Sequence, residues 1–173
     1  MSSYYLISSL PMLKHDADPP LSYDKFIEAC RDAVSVEKLK VLENLSVNDG
    51  EGPLLREWAK FYSNMKNELT YKRNLRLGKK TPLPDATCEK TSKVIDEALN
   101  APNPMEAEDK LLALQFEKID ELIGVHYFDD HALMGYAIKL LLLERKQSFK
   151  KDAGKKEMHR IIEHLEQQII SME

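Results

Sequence analysis

Apolar residues recur at three- and four-residue steps along most of the chain, the period of helices that bury one face. Ser22 is placed to cap a helix carrying Phe26, Ile27 and Cys30 on one stripe, and Ser35 another carrying Val36, Leu39, Leu42 and Leu45. After the turn-rich stretch Ser46–Pro53, Leu54, Leu55, Trp58, Tyr62, Met65, Leu69, Tyr71 and Leu75 predict a long helix. Pro53 suits its first turn, and Gly78 its end. Residues 79–86, with Pro82 and Pro84, read as a linker or hinge. A helix from about Thr87 to Leu99 turns Val94, Ile95 and Leu99 inward. The Asn103-Pro-Met-Glu106 capping box opens the next, which Gly124 ends.

Asp129 or Asp130 then caps a helix reaching about Ser148, apolar on nearly every side through Leu133, Met134, Ala137, Ile138 and Leu140–Leu143. Only a central position tolerates such a belt, so Leu133, Ala137, Leu140, Leu141 and Trp58 are expected to be almost inaccessible. A last helix from Asp152 carries Met158, Ile161, Ile162, Leu165 and Ile169. The opening segment, residues 3–11, fits either a short strand or a helical turn before Pro11. The pattern predicts an all-α fold, an irregular multi-helix bundle in a single domain over residues 1–173, with a short extended or helical N-terminal segment.

Length and composition agree with this. The 173 residues are 43% hydrophobic and 31% charged, and six Gly and eight Pro are too few for a turn-dense β-sandwich. A net charge of −4 argues against a dedicated nucleic-acid binder. Two cysteines, Cys30 and Cys88, build no disulfide framework, and each is expected to act as a small buried hydrophobe in a reducing compartment. Met1–Leu13 lacks a basic region ahead of its apolar stretch, and the longest apolar run is far too short to span a bilayer. A cytoplasmic protein is expected.

No catalytic constellation emerges. Gly78-Lys-Lys-Thr81 follows a helix and lacks the earlier glycine of a phosphate-binding loop. Aligning Gly52 to a calcium loop puts Trp58 where the bidentate Glu belongs. His126 and His131, like His159 and His164, stand five apart, a spacing that on a helix turns them to different faces. His126 is expected to plug the turn between two helices, His159 and His164 to face water, and Asp129-Asp130 to serve as cap and dipole partners. The expected catalytic, cofactor and metal residues are therefore none.

Charge is unevenly spread. Six cations meet one acid between Lys66 and Lys80, ten acids meet two lysines between Asp96 and Asp130, and Arg145 to Arg160 holds seven cations. One acidic and two basic faces would suit docking by complementary charge. The expected partner-binding residues are Lys72, Arg73, Arg76, Lys79 and Lys80, at a helix end where side chains project.

Two stretches carry a resemblance. Tyr4-Tyr-Leu-Ile-Ser-Ser-Leu-Pro11, with Pro19-Pro-Leu-Ser-Tyr23 and Phe26 to Cys30, resembles an uncharacterised bacterial family encoded beside V-type (A-type) ATP synthase subunits. His126-Tyr-Phe-Asp129, Ala132-Leu133, Tyr136-Ala137, Lys139-Leu140 and Leu143-Glu144-Arg145 are similar to a helix of that family. The family is itself distantly similar to the V-type ATPase component that joins the central rotor stalk to the membrane ring. Tyr71-Lys-Arg-Asn-Leu-Arg-Leu-Gly78 looks like the family's basic helix end. The resemblance implies a non-catalytic stalk-associated subunit or assembly factor, peripheral at the inner membrane through the ATPase. The alternatives are a helical nucleic-acid-binding module using residues 66–80 and 145–160, and a small enzyme built at the Asp129/His131 end.

Overall fold

The computed structural model describes residues 3–48, 50–85, 88–126, 128–148 and 158–162. The fold is all-α: α1 (Ser3–Ser9), α2 (Tyr23–Arg31), α3 (Val36–Glu43), α4 (Pro53–Arg76), α5 (Glu89–Leu99), α6 (Pro104–Ile123) and α7 (Asp130–Ser148), with residues 158–162 also helical. The N-terminal segment, open between strand and helix on its pattern, is helical.

Side-chain caps set most starts. Ser22 and Ser35 accept from the backbone N–H groups of Lys25 and Lys38, and Asn103 Oδ1 accepts from Glu106 N at 2.9 Å. Pro53 and Pro104 occupy the first turns of α4 and α6. At the end of α4, Gly78 takes φ +69, and Lys79 N and Gly78 N donate to Asn74 O and Leu75 O. This is the paired bonding of a Schellman end, which needs a residue without a Cβ penalty at positive φ.

The core forms where α4, α6 and α7 meet. Helix α6 packs on α4, α5 and α7, while α7 also touches α1, α2 and α4. Trp58, Phe26, Leu133, Ala137, Ile138 and Leu140 are essentially inaccessible. Trp58 satisfies its indole N–H by donating to Val47 O at 2.9 Å. The α6–α7 crossing is close at Gly135, where a Cβ would lie 2.5 Å from Ile123 Cδ1 and 3.1 Å from Ile119 Cγ2.

Three expectations need correction. Leu141 is half-buried, not inaccessible, because it shares a stripe of α7 with Met134, seven residues back, and that side is incompletely covered. Val36 and Leu75 are exposed, since both lie near helix ends that outrun their packing partners. Cys88 is exposed, not buried: it is the N-cap of α5, its sulfur accepting from Thr91 N at 3.5 Å. The last predicted helix lies outside the described residues except for 158–162, where Met158, Ile161 and Ile162 are exposed.

Candidate functional site

The basic end of α4 divides in two. Lys72 is only 18% exposed, and its Nζ lies 3.1 Å from Glu68, 2.8 Å from Asp96, and donates to the Ser92 carbonyl and hydroxyl at 3.0 and 2.8 Å. Arg76 donates to Leu99 O at 2.6 Å and to Asn100 Oδ1 at 2.8 Å, supplying donors to the C-terminal end of α5. Both cations clasp α4 to α5, Lys72 half-buried and Arg76 exposed. Arg73, Lys79 and Lys80 are exposed, and so are Leu75, Leu77 and Leu83 beside them in sequence. Mixed cationic and apolar exposure is thus the character of residues 73–83.

In the second basic stretch Arg145 and Lys146 tie helices together, while Arg145 and Arg160 are themselves exposed. Arg145 donates to Tyr62 Oη at 2.6 Å and to Glu108 Oε1 at 2.8 Å, tying α7 to α4 and α6. Lys146 pairs with Asp109 at 2.7 Å and donates to His15 O at 3.0 Å. Residues 149–157 and His164 lie outside the described residues, and His159 is exposed.

The turn between α6 and α7 assembles chemistry that residue spacing does not predict. His126 does not plug the turn; it is exposed, its Nδ1 2.5 Å from Asp129 Oδ2. Asp129 caps α7 by accepting from His131 N at 2.9 Å. His131 Nδ1 lies 3.7 Å from Asp129 Oδ1, and its ring stacks on His126 with centroids 4.5 Å apart. The five-residue spacing misleads because only His131 is inside the helix, so helical facing rules do not apply to His126. Desolvation pushes the Asp129 carboxyl up, but the bonds from His126 and from His131 N–H together outweigh it and hold the group below the ordinary carboxylate value. Exposed aromatic groups flank the turn: Tyr4 of α1 meets Phe128 at 4.7 Å between centroids and Tyr5 at 5.6 Å.

An open groove of about 1010 Å³ runs between residues 10–16 and the α6–α7 pair. Its walls include Phe116, Ile123 and Tyr136, and its Lys139 and Asp120 are paired at 2.5 Å. No helix among the described residues is long and apolar enough to cross a membrane.

Fold and surface together define an all-helical protein with an exposed cationic and apolar helix end and an exposed histidine–carboxylate turn. Residues 83–169 match the family described as Protein of unknown function (DUF2764), and the chain belongs to that family. The matched stretch takes in α5, α6, α7 and the His126–His131 turn. No curated protein and no solved structure matches the chain.

Proposed function

We propose that this protein is a non-catalytic accessory of a bacterial V-type (A-type) ATP synthase, a stalk-associated subunit or assembly factor that works by protein–protein contact. The observation that carries the docking reading is the segment 73–83, where Arg73, Lys79 and Lys80 are exposed together with Leu75, Leu77 and Leu83. Apolar side chains held in water beside cations suit a surface that is covered by an acidic, partly apolar partner. The ATPase assignment itself rests on the sequence resemblance at residues 4–30, 71–78 and 126–145. Lys72, Arg76, Arg145 and Lys146 each bond groups of other elements, which engages four cations that would otherwise track phosphates and speaks against the nucleic-acid alternative.

The test is association of the purified chain with the isolated V-type stalk complex, at low and high salt. Wild type should bind with a rate that falls as salt rises, and the triple variant Arg73→Glu, Lys79→Glu, Lys80→Glu should associate roughly tenfold or more slowly. Its melting temperature should stay near wild type because the three side chains are exposed. Absence of any stalk binding by wild type would overturn the ATPase reading, whereas tight, salt-dependent binding to duplex DNA would favour the alternative.

A further inference from the structure

We propose that His126, Asp129 and His131 form a surface site for a divalent transition cation of the zinc, nickel and cobalt class. One donor atom from each lies within 4.8 Å of the other two. The set is two imidazoles and one carboxylate, a borderline nitrogen and oxygen donor set that suits Zn²⁺, Ni²⁺ or Co²⁺. Ca²⁺ and Mg²⁺ need a shell of oxygens that these three residues do not offer.

The backbone holds the three residues in place. His126 N donates to Ile123 O at 3.0 Å, which ties the first histidine to the end of α6. Leu133 N donates to Asp129 O at 3.2 Å, which seats the aspartate at the start of α7. The two helices cross closely at Gly135, so the two ends of the turn are anchored on one rigid pair.

The Asp129 carboxylate divides its work. Oδ1 accepts from His131 N and keeps the cap, while Oδ2 and His126 Nδ1 are joined through one proton in a hydrogen bond of 2.5 Å. A cation replacing that proton would sit about 2.0–2.1 Å from each atom and widen the gap to roughly 3 Å. His131, stacked on His126, completes a three-donor face that leaves one or more positions to water or to a side chain of another protein. The positive end of the α7 dipole opposes a cation, and the charge of Asp129 offsets it. Lys38 is held by Asp130 at 2.7 Å, so this lysine pairs with the neighbouring carboxylate instead of with Asp129. With three ligands, high exposure and an opposing dipole, affinity should be moderate, a Kd on the order of micromolar.

The experiment uses the full chain freed of metal by a chelator, titrated with Zn²⁺ by calorimetry and with Co²⁺ by its visible absorption. One equivalent should bind, with a Co²⁺ band of low coordination number, and Mg²⁺ should give no heat. His126→Ala and His131→Ala should each weaken binding by roughly tenfold or more. Asp129→Asn removes the charge but keeps a good N-cap, so it should lose affinity without losing the fold, which metal-free melting checks. Cys88→Ser and His159→Ala should bind as wild type does. Lack of stoichiometric binding by wild type, or full binding in both histidine variants, would overturn the site.

Discussion

Lys72 shows how a residue's apparent role changes with its neighbours. Its ammonium is enclosed by Glu68, Asp96 and the Ser92 carbonyl and hydroxyl, while the Glu68 side chain is only 9% exposed. Partial burial works against the charge, yet the hydrogen bonds to Asp96 and Glu68 outweigh it and raise the pKa. A lysine whose folded pKa is raised contributes stability that is fully present below its unfolded value and lost only as alkaline pH passes the folded one, so the clasp is intact at neutral pH. Lys72→Met should cost about 1–3 kcal/mol, because it takes the cation from a buried carboxylate. An unchanged urea midpoint would show that the cluster contributes nothing net.

The two cysteines diverge for an equally local reason. Burial pushes the Cys30 thiol up to about 11. The side chain and backbone N–H of Thr91 pull the Cys88 thiol below its ordinary value, at the start of a helix. Iodoacetamide at neutral pH should therefore modify Cys88 roughly tenfold or more faster than Cys30. Peptide mass spectrometry over a time course reads the ratio, and equal rates would contradict both environments.

At the scale of elements, close helix contact is the decisive quantity. Gly135 lets α7 approach α6 until only a hydrogen fits between its Cα and Ile123. Alanine there would gain helix propensity while displacing the far end of Ile123, two opposing effects. Valine removes the ambiguity: Gly135→Val should destabilise by about 1–3 kcal/mol, and adding Ile123→Ala should recover part of the loss. A Gly135→Val protein that melts with wild type would mean the helices separate at no cost. The same crossing sets the turn that carries His126, Asp129 and His131, so element packing and candidate chemistry are coupled here.

At the scale of the whole molecule, some charges among the described residues tie elements together and others have no such task. Arg76 illustrates the distinction for the docking test. It bonds the last carbonyl of α5 and Asn100, so reversing it would damage the fold as well as any interface. Arg73, Lys79 and Lys80 carry the same sign a few residues away and are exposed. Their reversal should change association and its salt dependence while leaving the melting curve in place, which separates a docking defect from a folding defect.

The repeating apolar stripes, the caps at Ser22, Ser35 and Asn103, and the glycine end at Gly78 are legible in the sequence because each depends on residues within about one helical turn. The belt of α7 likewise announces a central helix, and Leu133, Ala137 and Leu140 are buried accordingly. Which polar side chains meet is decided only by tertiary structure. Lys72 reaches Asp96 and Ser92 across the linker, Arg145 reaches Tyr62 and Glu108, and Tyr23 N donates to Glu144 at 2.6 Å, pairings of residues 20 to 121 positions apart. Cys88 has the composition of a core residue, but its place at the start of α5 exposes it. His126 and His131 escape a helical spacing rule because they stand on either side of a helix boundary, where the turn geometry, fixed by the α6–α7 crossing, sets the side-chain directions. Local periodicity determines which face of an element is apolar; the long-range packing of those faces determines which charges are left for solvent.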